Sequence, residues 1–116
     1  MNTKSPECYT TEPRASCLRV EMPTGRIYLL PLDQLAYAQM DNDGTEQLLH
    51  LSFATHEIMV RGHTLRRIET ALHRLELASI TPLPARYHPL VAEGQPRILE
   101  IVMREITSGA EQSQLN

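Results

Sequence analysis

The sequence predicts an α+β domain: an antiparallel four- to five-stranded meander packed on one main helix (64–78), followed by a C-terminal helix or edge strand (97–107). Three observations carry this. Apolar residues alternate with polar ones at Leu18, Val20 and Met22, and again at Leu49, Leu51 and Phe53, the period of half-buried strands. Two turn signals, Pro23-Thr24-Gly25 and Asp41-Asn42-Asp43-Gly44, punctuate the alternating runs. Leu65, Ile68, Leu72, Leu75 and Ser79 then recur at three- and four-residue spacing, the buried stripe of an amphipathic helix.

Residues 1–16 are polar, contain two prolines and show no period, so they are expected to be a flexible arm. The single domain then spans 17–107, and 108–116 reads as a disordered tail. Strands at 17–22 and 26–30 form a hairpin around Pro23-Thr24-Gly25, where proline pre-sets the first turn position and glycine accepts positive φ. A bend at Pro31–Gln34 leads to a third strand at Leu35–Met40 and, across the Asp-Gly turn, a fourth at Glu46–Phe53. A fifth, Glu57–Arg61, ends at Gly62. Parallel pairing would need crossovers for which these short connections leave no residues. Thr64 is the expected N-cap of the helix, and Thr81-Pro82-Leu83-Pro84 its stop. After an irregular stretch holding four of the eight prolines, residues 97–107 fit two readings. A helix gathers Ile98, Leu99, Val102, Met103 and Ile106 on one face and is slightly favoured. An edge strand suits the β-branched content.

A chain of 116 residues with 41% hydrophobic content builds a modest single core. With no Trp and one Phe, that core is aliphatic, and aromatic platforms for stacked bases are scarce. The net charge of −3 is uneven: residues 56–90 hold five Arg and three Glu, together with four of the five His. Cys8 and Cys17 match no metal or redox spacing, and are expected to be reduced thiols. No apolar run reaches the ~20 residues that span a bilayer and no signal-peptide core follows Met1, so a cytoplasmic location without membrane contact is the expectation.

Candidate chemistry is sparse. His56-Glu57 opens like a zinc-protease motif, but Val60 stands where the second histidine belongs. Asp41-x-Asp43-Gly44 opens like a calcium loop but lacks the later bidentate acid. No glycine cluster cradles phosphate and no nucleophile elbow surrounds a serine, so no catalytic residue, metal or cofactor is assigned. The one basic cluster is Arg61, His63, Arg66 and Arg67 at the strand-to-helix junction, where arginines beside a helix N-terminus suit an anion or nucleic acid.

LPLDQL at 30–35, MVRGHTL at 59–65 and RRIETAL at 66–72 together resemble LytTR-type DNA-binding domains of bacterial response regulators. The resemblance implies a β-rich module with a strand-to-helix step. That family's later basic strand has no counterpart after residue 78, where Arg86-Tyr87-His88 runs into Pro89, and no DNA-contacting residue is carried over. The expected function is therefore a non-enzymatic binding or oligomerisation module of a bacterial protein, paired with itself as a homodimer or with another protein. The alternatives are nucleic-acid or anion binding through 61–67, and a small enzyme using His56, Glu57 and His63.

Overall fold

Alternation becomes strand pairing wherever a tight turn joins two runs. The computed structural model describes residues 6–106. Cys17–Glu21 (β2) and Ile27–Pro31 (β3) pair antiparallel in the register Leu18↔Leu30, Val20↔Tyr28. Their loop is closed by Gly25 N–H to Met22 O (2.9 Å), with Gly25 at φ 95° as the turn requires. Leu35–Asp43 (β4) and Glu46–Phe53 (β5) form a longer hairpin, turning on Gly44-Thr45 with Gly44 at φ 66°. His56–His63 (β6) returns along β5.

Among the described residues the strands number eight and lie in two sheets, more than the four or five expected in one. The first sheet has the order β1-β7-β2-β3, where β1 is Tyr9–Thr11 and β7 is Leu77–Ile80. The second has the order β4-β5-β6-β8, where β8 is Arg97–Glu105. Both are antiparallel except for one parallel contact, β2 with β7 (Arg19↔Ser79, Val20↔Ile80). The crossover that parallel pairing needs is supplied by the whole of the second sheet's first three strands plus the helix, rather than by a local loop.

The inner faces meet in one aliphatic core. Leu49, Leu51, Phe53, Ile58 and Val60 come from the second sheet, and Leu18, Val20, Leu30, Leu77 and Ile80 from the first. Burying each such side chain stabilises by about 1.5–3 kcal/mol. The arm expected at 1–16 is corrected by the same core for its described part. Cys8 is buried, and Tyr9–Thr11 pairs with β7 as an edge strand. Residues 1–5 and the tail at 108–116 lie outside the described residues.

The helix is shorter than its periodicity suggests: α1 is Arg66–His73, not 64–78. It buries Ile68, Ala71 and Leu72, and stops in a Schellman motif. Leu75 takes φ 56° while its N–H bonds Leu72 O (2.9 Å) and the Glu76 N–H bonds Ala71 O (2.8 Å). Leucine occupies the position where glycine usually signals the stop, so the sequence carries no warning. The residues beyond, LASI, form β7. A bulge at this point of the β1–β7 ladder (Thr10↔Ser79, Thr11↔Leu77) leaves Ala78 unopposed. Leu77 and Ile80, three apart, therefore both reach the core.

Residues 97–105 are strand rather than the favoured helix. Here too a bulge, Arg61↔Glu100 followed by Gly62↔Ile98, leaves Leu99 unopposed and buries both Ile98 and Ile101. Gly62 sits at this bulge because nothing larger fits: a Cβ there would stand 2.1 Å from the Arg97 carbonyl oxygen. Gly62→Ala is expected to destabilise the fold by about 1–3 kcal/mol, since backbone rather than a flexible side chain must yield. Urea unfolding midpoints check this.

Burial also separates the two thiols. Cys8, whose Sγ donates to the Pro96 carbonyl at 3.5 Å, has its pKa pushed up to about 11 by desolvation, while Cys17 is exposed. An aqueous thiol reagent at about pH 8 is expected to label Cys17 quickly and Cys8 only on unfolding, so that Cys17→Ser removes the fast phase. Because the folded value lies above the ordinary 9.0, the linked stability is full below pH 9.0 and is lost as pH rises through about 11.

Candidate functional site

Strand alternation assigns every side chain of the second sheet to one of two faces. Ala38, Met40 and Asn42 of β4 lie on the inner side with Leu49 and Leu51, and Tyr37, Gln39 and Asp41 lie on the outer side with His50. On the inner side, α1 does not close down on β4. A trough of about 460 Å³ runs between them, floored by Met40, Leu49 and Leu72 and overhung by Arg66, Glu69 and His73. Both Ala38 and Gln39 border it, so it opens along the strand's edge and not only on its face. Among the described residues Arg66 and Glu69 have no ion pair, although they stand one helical turn apart over the same trough.

The helix is held in this position from the sheet. Gln47 Oε1 on β5 accepts the Leu65 N–H at 2.6 Å, and Gln47 Nε2 donates to Asn42 Oδ1 at 2.8 Å. One amide thus satisfies an orphan donor at the helix start and ties β4 to β5 beside the trough. Thr64, the expected N-cap, makes no capping bond. Leu65 occupies the cap position, and Thr64 is held at φ 57°, a strained setting for a β-branched residue.

The four residues of the expected basic cluster are divided by the sheet. Arg61 lies on the outer face, bonded through Nη1 to Glu46 (3.0 Å) and through Nε to Glu100 (3.2 Å), which hold its guanidinium more firmly charged than usual. The ring of His63 shares its Nδ1 with the Thr45 carbonyl at 2.7 Å. Arg66 overhangs the trough on the inner side, and Arg67 is exposed on α1. At the helix N-terminus that was to receive an anion, Gln47 already takes the Leu65 N–H. Arg61 and Arg66 therefore do not face one ligand.

His56, Glu57 and His63 are not brought together either. His56 packs edge-on to Tyr28 at 5.7 Å and shares Nδ1 with the Thr55 hydroxyl at 2.8 Å. Glu57 pairs with Arg104, which lowers its carboxyl below the usual range, and His63 ends the same strand about 20 Å away by the rise per residue. Among the described residues no three His, Cys, Asp or Glu side chains are placed to hold a metal ion. No helix among them is long and apolar enough to cross a membrane. The segments that resemble LytTR domains fall on the end of β3 and its following turn, on the β6–α1 step, and on α1 itself. Comparison with family models, with curated proteins and with solved structures returns no match for this chain.

Sequence reasoning passed over the trough because its parts come from separate elements, β4, β5 and α1. The available signal was the run AYAQM, a strand with no cation and no proline. Two substitutions test how the helix is placed. Thr64→Gly is expected to stabilise by about 1 kcal/mol through relief of the positive φ. Gln47→Ala is expected to cost about 1–2 kcal/mol by orphaning the Leu65 N–H. An N-capping role for Thr64 predicts the opposite sign for the first, and thermal unfolding of both variants separates the two accounts.

Proposed function

We propose that this domain is a non-enzymatic binding module that works by strand addition at the β4 edge, with the α1 trough receiving the side chains of the added segment. One observation carries the reading: among the described residues, three of the four sheet edges are blunted and one is not. β1 is three residues long and bulged. β3 is five residues long and ends at Pro31. β8 carries Arg97, Glu100, Arg104 and Glu105, and its Ile98 carbonyl is already taken by the Leu83 N–H at 2.9 Å. β4 is nine residues long, exposed over most of its length, free of proline and cations, and charged only at Asp41 and Asp43 near one end.

An edge of that kind offers a row of main-chain donors and acceptors to any extended chain, which is why soluble proteins normally guard it. Here it lies beside a trough of mixed lining, with Met40, Leu49 and Leu72 on its floor and, among the described residues, Arg66 and Glu69 without an ion pair on its rim. Recognition of this sort draws affinity from the main chain and selectivity from alternate side chains dropping into the groove.

Selection from a displayed library of extended seven-residue peptides tests the reading. Selected peptides are expected to slow amide hydrogen exchange along 37–43. Ala38→Lys, which points a charge from an exposed site into the trough, is expected to weaken them at least about tenfold without lowering the thermal midpoint. Arg104→Ala, on the opposite face, leaves them unchanged. Peptides that protect other strands, or that ignore Ala38→Lys, would overturn the assignment.

A further inference from the structure

We infer that the segment added at β4 is the β4 of a second copy, joined antiparallel across a two-fold axis near Gln39, so that the two four-stranded sheets become one of eight. The inference rests on the strand-addition reading and names its partner. Three features point to a second copy in preference to an unrelated peptide.

The first is charge. Arg66 and Glu69 both overhang the trough and neither has an ion-pair partner among the described residues. In an isologous interface, if residue i meets j, then j meets i. Copies of α1 running antiparallel on either side of the seam put Arg66 against the partner's Glu69 and Glu69 against the partner's Arg66. A single operation satisfies all four charges, whereas a peptide would have to bring both signs at the same spacing.

The second is the placement of the acids. With Gln39 on the axis, Tyr37 stands opposite the partner's Asp41, and Asp43 falls beyond the partner's regular stretch. The acidic end of β4 is therefore kept away from its own copy, and like charges do not oppose each other across the seam. The third is fit. The bulge between Leu35 and Tyr37 leaves 37–43 as the regular part of the edge, and within it Ala38, Gln39, Met40 and Asn42 line the trough, with Ala38 to Met40 at the centre of the proposed pairing. Small Ala38 at this centre lets two strands and their flanking helices approach.

Sedimentation of the full chain across a concentration series, with charge-reversed variants, tests the proposal. The wild-type chain is expected at twice its 13.2 kDa mass. Arg66→Glu and Glu69→Arg, each alone, bring like charges together and are expected to raise the dissociation constant at least about tenfold. The double variant restores the pairs and is expected to return to within about threefold of wild type. In a Cys17→Ser background, Gln39→Cys is expected to form a disulfide-linked dimer under mild oxidation, and Leu75→Cys is not.

A dimer indifferent to the reversals and to Ala38→Lys assembles through another face, and overturns self-pairing at β4. A chain that stays monomeric while library peptides still protect 37–43 overturns self-pairing and leaves strand addition standing. A monomer whose β4 amides no peptide protects removes both.

Discussion

Everything in this structure depends on the burial of two apolar sheet faces against each other. Among the described residues neither sheet has a helix long enough to cover it: α1 has two turns and contributes Ile68, Ala71 and Leu72. The inner residues of β5 and β6 need those of β2, β3 and β7, because a sheet with one apolar face is stable only when that face is packed. This requirement explains the threading. The chain leaves the first sheet after β3, builds three strands of the second, and returns through α1 to insert β7 between β1 and β2. It also explains why a segment as polar as Tyr9–Thr11 is ordered. With β7 in place, an edge strand bonded to it covers Cys8 and the end of the core.

The elements readable from the sequence are those whose partner is the next element along. The β2–β3 and β4–β5 hairpins announce themselves by alternation and glycine turns, and the start of α1 by its apolar stripe. Two of the misread elements, β7 and β8, share one physical feature. In β7 and in β8 a bulge leaves one residue unopposed, at Ala78 and at Leu99, so inward side chains fall three apart. That is the spacing of a helix face. Leu77 with Ile80, and Ile98 with Ile101, are thus spaced as on a helix inside strands, although the helices expected were drawn through Leu75 and Ser79 and through Ile98, Leu99, Val102, Met103 and Ile106. Nothing local corrects the impression, because the bulges are set by strands distant in sequence. The Schellman stop at Leu75 adds to it, since the residue with positive φ is a leucine.

The candidate site was legible only in fragments. Arg61, His63, Arg66 and Arg67 are close in sequence, and on one continuous helix they would form one patch. A strand followed by a strained turn does otherwise. Arg61 is placed by the pleat on the outer face, and the chain then crosses the sheet's end at Gly62–Thr64 to set Arg66 above the inner face. Proximity in sequence across a change of secondary structure is therefore poor ground for a shared ligand. Gln47 illustrates the converse: 18 residues from Leu65, it supplies the contact that a local N-cap was expected to make.

The gap between α1 and β4 follows from these constraints and leads toward function. Gln47 holds the start of α1, and the Schellman motif sets its end, so the helix stops short of covering the edge strand. The core it closes lies over β5 and toward β7, which leaves the apolar inner residues of β4 open, Met40 half buried and Ala38 exposed. A fold seeking only its own stability would guard such an edge by shortness, a bulge, a proline, charge or a bonded segment, as the other three edges are guarded. Asp41 and Asp43 do so at one end alone. The unguarded stretch coincides with the stretch that borders the trough, and with the only helix face bearing an unpaired Arg and Glu one turn apart among the described residues. An edge left open, a cavity beside it and a charge pair awaiting its complement are each unremarkable singly. Their coincidence along β4 and the helix beside it is the ground for the proposed seam between two chains.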